Sequence, residues 1–330
     1  MSVKLLGIVS DIHYASPAER ARGNDYEWRG LSNPFLRLLV RCHRRWIWLR
    51  NPLDQNHLLD SFLENGRSFD FVIANGDYSC DSLNIGVSDD ASFDSARECL
   101  DKLRANFPGR LRAVIGDHEL GKVSFVGGRG GMRLASWRRA TNQLGIEPFW
   151  QFEIGNYLLI GIPSSVVALP TFAADLLPSE TAEWEQLRAS LVDQINRAFA
   201  ALKPQQRVLL FCHDPTALPF LAREEAFQKG LPQIEATIIG HLHSNLVLWK
   251  SRLLAGMPRI TFLGHTTKRL STALSEARHW RPFNVRLCPA IAGIELLNDG
   301  GYLVAELTPD ATKPIVFRFC PVPRRPATTT

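Results

Sequence analysis

The sequence predicts an α/β fold, and three observations carry that prediction. Short runs at residues 3–9, 69–75, 111–115, 208–212 and 236–239 are mainly apolar, the first on both faces, as strands buried in a parallel or mixed sheet are. Longer stretches between them, such as 92–106, have the composition and spacing of helices. All five runs end at once in aspartate or histidine, and α/β folds gather ligands at the carboxyl ends of their strands.

Taken in order, residues 3–9 end in Ser10-Asp11-Ile12-His13, where two side chains two apart point the same way on an extended chain. Residues 14–65 change in composition and contain no second strand. Within them, 35–50 carries Leu36, Leu39, Val40, His43 and Ile47 at helical spacing, with Arg37, Arg41, Arg44 and Arg45 opposite and no acidic residue. The strand at 69–75 leads into Gly76-Asp77, and the one at 111–115 into Gly116-Asp117-His118-Glu119. Residues 126–131 are a glycine-rich loop around Arg129. A hairpin over 149–154 and 157–162 turns at Gly155-Asn156, and Ser179 caps a helix reaching residue 202. Residues 208–212 end in His213-Asp214, and 236–239 in Gly240-His241-Leu242-His243. Further strands are expected at 259–263, 293–297, 302–307 and 316–320, with a hairpin turn at Asn298-Asp299-Gly300-Gly301 and a disordered tail at 321–330.

The chain has 330 residues and is 45% hydrophobic, which suits one large domain, 1–320, with 14–65 as a helical cap insertion. A formal charge of +5 favours anionic partners. Six cysteines without a C-x-x-C pair fit a reducing compartment. The opening strand meets Asp11 too soon for a signal peptide, and no apolar run is long enough for a bilayer. The expectation is a cytoplasmic protein, peripheral to the membrane if 35–50 meets lipid.

Seven ligand-capable residues, Asp11, His13, Asp77, Asp117, His213, His241 and His243, therefore stand on five strand ends, with His118 beside them. Mixed carboxylates and imidazoles suit manganese, iron or zinc rather than calcium or magnesium, and the set exceeds what one ion needs. Two divalent ions would use all of it and position a nucleophile for phosphoryl chemistry.

In this order, Asp11-Ile12-His13, Gly76-Asp77, Gly116-Asp117-His118-Glu119, His213 and Gly240-His241-Leu242-His243 resemble the calcineurin-like metallophosphoesterase family over residues 3–265. The resemblance implies a four-layer αββα sandwich of two mixed sheets flanked by helices. It implies that Asp11, His13 and His243 hold one ion, that Asp117, His213 and His241 hold the other, and that Asp77 bridges them. His118 would be the non-ligand histidine that serves the leaving oxygen, and the reaction would be hydrolysis of a phosphoester or pyrophosphate by a metal-bridging hydroxide, with manganese the first choice of ion. The family usually has asparagine where this chain has Asp117, so a shifted metal preference is expected.

Other candidates are open at this level. Asp81 is read as an orienting partner for His118 or as an ordinary loop aspartate. His265, with Lys268 or Arg269, is read as a phosphate contact or as a solvated loop. Arg129 is read as part of a closing loop or as surface. His43, His57 and His279 lack a partner at ligand spacing. The 35–50 segment either rests on anionic membrane or grips a lipid-bearing substrate, or it packs its apolar face on the domain. The first of these is similar to the UDP-2,3-diacylglucosamine hydrolases, which split a lipid-linked nucleotide pyrophosphate. A non-catalytic scaffold and a nuclease of the same fold are the rival functions. Nothing in the sequence requires nucleic acid as a partner.

Overall fold

Alternation within the strands sets the architecture. In β1 (Lys4–Val9), Leu6 and Ile8 turn to one side, toward Leu209 and Phe211 of β6 (Arg207–Cys212) and Ala236 and Ile238 of β7 (Ile234–Ile239). Val9, Val208, Leu210 and Ile239 belong instead to the clusters under the helices. Each sheet is therefore apolar on both faces, one against the other sheet and one against helices, which gives four layers.

The computed structural model describes residues 2–24, 33–80, 86–122, 131–262 and 265–324. One sheet has the order β10-β9-β1-β2-β3, using β2 (Phe71–Ala74), β3 (Leu111–Ala113), β9 (Gly301–Leu307) and β10 (Val316–Pro321). The other runs β4-β5-β6-β7-β8, using β4 (Trp150–Ile154), β5 (Tyr157–Ile162) and β8 (Val285–Leu287). β1, β2 and β3 are parallel, as are β5 through β8, while β4, β9 and β10 run antiparallel to their neighbours. The two sheets are mixed, as expected.

Residues 14–65, expected as a helical cap insertion, open with α1 (Pro17–Arg22) and α2 (Pro34–Trp46). α3 (Asn56–Asn65) buries Leu58, Leu59, Phe62 and Leu63 in the core and serves as the crossover from β1 to its parallel partner β2. Helix α4 (Asp90–Asn106) starts at Asp89, whose carboxylate accepts from the backbone N–H of Ser92. The helix expected from a Ser179 cap spans Thr181–Ala200, and its N-cap position is Glu180, which makes no side-chain capping bond, rather than Ser179.

Four expectations are corrected. Residues 259–262 form no strand: the N–H of Ile260 donates to Ser271 Oγ, and β8 already occupies the sheet edge beside β7. Leu263 lies outside the described residues, as do Asp81 and Arg129 with its glycine-rich loop. Residues 293–297 form a turn-rich loop, because Gly293 is left-handed and Asp299 Oδ1 accepts from the N–H of Ile294, so Asn298-Asp299-Gly300-Gly301 closes no hairpin. The three-residue strand β8 was not foreseen. Residues 321–324 are not a free tail: Pro321 pairs with Gly301, Val322 is buried, and Arg324 binds Glu295 at 2.7 Å. Residues 325–330 lie outside the described residues.

Candidate metal centre

Because β1, β2, β3, β6 and β7 are parallel within their sheets, the loops that follow them meet along one edge of the sandwich. Backbone hydrogen bonds lace those loops together. The N–H groups of Ile12 and His13 both donate to the carbonyl of Asp77, at 2.9 and 3.1 Å, and the N–H of Gly240 donates to the carbonyl of His213 at 2.9 Å. The turns are tight. Asp11, His13, Asp77, His241 and His243 all have φ between 50° and 60°, in the left-handed region that costs a non-glycine residue energy. Among the described residues only Asn284, Asn298 and Ala311 share that feature, so strained backbone is concentrated at the strand ends. Two glycines make room. A Cβ on Gly116 would sit 2.2 Å from Asp77 Oδ1, and one on Gly240 2.0 Å from Ser10 Oγ and 2.5 Å from Asp11 Oδ2.

The seven expected ligands converge. Ligand atoms of Asp77, Asp117, His213 and His241 lie within 4.8 Å of one another, as do those of Asp11, His13 and His243. His213 Nε2 is 3.0 Å from Asp77 Oδ2 and 2.9 Å from Asp117 Oδ1, and His241 Nδ1 is 3.0 Å from the same Asp117 oxygen. His243 Nε2 stands 3.2 Å from Asp11 Oδ1 and 3.3 Å from His13 Nε2. Supporting contacts set which nitrogen faces inward. His213 Nδ1 is 2.6 Å from the carbonyl of Asn75, and His13 Nδ1 is 3.3 Å from that of Ser79, so each ring turns its Nε2 to the centre. Ser10 Oγ donates to Asp11 Oδ2 at 2.6 Å. Glu119 accepts from the N–H groups of Gly116, Asp77 and Tyr78 at 2.8 to 3.1 Å and so ties the β2 and β3 loops together.

His118 occupies a different place. Its backbone N–H donates to Asp77 Oδ1 at 3.0 Å, its Nε2 is 3.9 Å from Asp77 Oδ2, and its ring stands edge-on to His13 with centroids 4.7 Å apart. It also forms a third convergent group with His13 and Asp77.

The electrostatics are those of a crowded, buried charge cluster. Burial opposes ionisation of Asp11, yet His213 and His243 hold its carboxyl well below the usual range. Burial likewise opposes Asp117, but His241 and Lys122 hold it ionised. Burial works against a charge on His213, and Asp77 and Asp11 raise it well above the ordinary histidine value all the same. His13 drops to about 3, through burial and then the nearby His118 and His243. Glu119 rises to about 7 because it is buried beside Asp77.

The donor set fits divalent ions. Asp77 Oδ2 and His213 Nε2 are buried and 3.0 Å apart, but not in hydrogen-bond alignment. Buried polar atoms are nearly always well bonded, and ligand atoms that converge on a common point out of such alignment suit a shared cation.

Lys122 escaped the sequence reading, and Trp48, expected only on the cap segment, proves to touch a ligand histidine. Lys122, 2% exposed, has its Nζ 3.5 Å from Asp117 Oδ2 and in contact with the carboxylate of Asp214. Its charge offsets the negative charge of Asp117. Trp48 lies with its ring centroid 4.5 Å from that of His243, and His43 stacks behind it at 6.0 Å. His43, set aside from sequence, therefore supports the wall of the site. The other candidates do not converge. Arg269 pairs with Asp175 at 2.7 Å, His57 Nδ1 lies 3.2 Å from the carbonyl of Asp54, His279 Nε2 is 3.7 Å from Glu276, and Lys268 is exposed. His265 opens a helix, and its side chain lies outside the described residues.

No protein-family model and no curated protein matches the sequence. Among solved structures, the chain is similar to the phosphopantetheinyl hydrolase of Mycobacterium tuberculosis, at 15% identity and a TM-score of 0.33, over 73% of this chain and 83% of that one. A predicted phosphoesterase of Streptococcus pneumoniae aligns at 10% identity and a TM-score of 0.30, over 97% and 99% of the two chains. A purple acid phosphatase from yellow lupin (Lupinus luteus) seeds aligns at 15% identity and 0.34, over 73% of this chain and 38% of that one. These likenesses are distant. The chemistry rests on the chain's own geometry.

Proposed function

We propose that this protein is a metal-dependent phosphohydrolase that works through two divalent ions. The observation that carries the reading is the convergence of two ligand sets, Asp11/His13/His243 and Asp77/Asp117/His213/His241, at one edge of a rigid sandwich. Ions bound there supply charge neutralisation for the phosphoryl oxygens and a nucleophile at neutral pH, with manganese, iron and zinc matching the donors. Asp77, with Oδ2 facing His213 and Oδ1 bound by the N–H of His118, stands where the two sets meet. Glu119, through its three backbone contacts, keeps Asp77 and His118 in fixed register. The His118 imidazole, outside both sets, holds a proton for the departing oxygen. Trp48 over His243 favours a substrate with an apolar portion next to its phosphate, so a lipid-linked nucleotide pyrophosphate of the UDP-2,3-diacylglucosamine kind is the first finer candidate.

The test is Mn²⁺-dependent hydrolysis of an aryl phosphomonoester, an aryl phosphodiester, and a nucleotide-linked pyrophosphate with and without acyl chains. Activity should vanish in chelator. His118→Ala should lower kcat by about 10²–10⁴-fold with bound metal unchanged, whereas Asp77→Asn should lose metal as well. A metal-loaded protein inert on the whole panel would favour the non-catalytic scaffold, and an equally active His118→Ala variant would remove that residue's role.

A further inference from the structure

Helix α2 shows solvent more apolar surface than the stripe its sequence suggests, of which Leu39, His43 and Ile47 are themselves exposed. Phe35, Leu38, Leu39 and Trp46 are 74%, 58%, 56% and 61% exposed, and Cys42 between them is exposed too. These positions follow i, i+3, i+4, i+7 and i+11, which at 3.6 residues per turn fall within an arc of roughly 100°. Arg37, Arg41 and Arg45 are exposed along one flank of that stripe, with the Arg45 guanidinium 5.5 Å from the Trp46 ring. Five arginines and no acid occur in residues 34–50. The patch continues past the helix. The N–H groups of Glu295 and Leu296 donate to the carbonyls of Trp48 and Ile47, at 2.6 and 3.2 Å, and so place the exposed Leu296 and Leu297 beside it. On its other side the same segment reaches the metal centre, through Trp48 against His243.

We infer that this patch docks the protein on an anionic lipid surface, with the metal centre at the rim of the contact. An apolar stripe flanked by long arginine side chains, with a tryptophan among them, matches the boundary between headgroups and acyl chains. Thirteen residues, about 20 Å of helix, lie in that plane and cannot cross it. No helix among the described residues is long and apolar enough to span a membrane. A second copy of the chain is the weaker occupant: pairing two such faces would oppose arginine to arginine with no acid from the helix to balance them.

The inference goes beyond the proposed hydrolysis and is tested separately from it. The full chain is sedimented with vesicles of pure phosphatidylcholine and with vesicles that also contain phosphatidylglycerol. Binding is expected to the anionic vesicles only and to weaken as salt screens the charges. The double substitution Leu38→Glu with Leu39→Glu should lower the partition more than about tenfold, and Arg45→Glu several-fold. Hydrolysis of the soluble aryl phosphate should be the same in all three proteins. That second readout separates loss of docking from failure to fold and from failure of the hydrolase reading. Absence of vesicle binding, or undiminished binding by the double variant, would overturn the inference. So would a dimer in sedimentation velocity that the double variant dissolves, because a second copy would then be the occupant.

Discussion

The metal edge and helix α2 place the same kinds of residue in opposite circumstances. At the edge, charged side chains are buried, backbone is strained, and every loop is tied to its neighbour. On α2, large apolar side chains face solvent. Each breaks the ordinary rule for its residue type. A folded chain carries such departures where something outside it completes them, and the two regions meet at Trp48. On the readings proposed above, the edge awaits cations and an anion, and the helix an apolar, anionic surface. The contrast would then separate two sources of specificity, a centre that sets the reaction and an exposed face that sets where it happens.

The largest break in this picture is expected at Lys122. Its ammonium is buried between Asp117 and Asp214, and burial, which disfavours its charge, is overcome by those two carboxylates. Lys122→Met leaves both carboxylates buried without a counter-charge, which should cost about 3–5 kcal/mol, read by urea unfolding in chelator. Adding Asp117→Asn and Asp214→Asn should recover much of that loss. A single-variant cost below about 1 kcal/mol would mean that the lysine is incidental to the strand-end cluster.

What the sequence made legible follows the range of the interactions concerned. Asp11, Asp77, Asp117, His213 and His241 could be found because each follows its own apolar strand, a relation that lies within a few residues. The meaning of Lys122 depends on Asp214, 92 residues away, and nothing local announces it. The strand β8 was missed because it has three residues and follows Asn284, a left-handed break. Residues 293–297 were misread for the opposite reason: their apolar composition resembles a strand, but an Asp299 side chain occupies the N–H that pairing would use. The stripe on α2 was assigned through Leu36, Leu39, Val40, His43 and Ile47. Leu39, His43 and Ile47 of that stripe are exposed, as are Phe35, Leu38 and Trp46 outside it, because the tertiary surroundings cover little of this segment.

A second break tests the closeness of the strand ends. Gly240 lets β7 pass against Ser10 and Asp11, and its added Cβ would fall 3.0 Å from His213 Nδ1 as well. Gly240→Ala should therefore cost about 1–3 kcal/mol of stability and lower metal content, since the loops after β1, β6 and β7 would all have to move. The opposite result, full metal content in a protein of unchanged stability, would show that the edge yields more than its strained turns suggest.

The smallest expected effect sharpens the junction between the two regions. The Trp48 ring packs on His243 at 4.5 Å while His43 stacks behind it, so the tryptophan both fixes the His243 ring and anchors the end of α2. An aromatic pair of this kind is worth about 0.5–1.5 kcal/mol beyond its buried area. Trp48→Ala should thus weaken Mn²⁺ binding by roughly threefold to tenfold, measured by titration calorimetry, and Trp48→Phe should restore most of it. The site containing His243 should feel the loss more than the one containing His241, because Trp48 touches only the former. Equal weakening of both ions would mean that the cap acts on the centre as a whole. No weakening would mean that α2 and the metal edge are neighbours without being coupled, and docking would then locate the enzyme without tuning its chemistry.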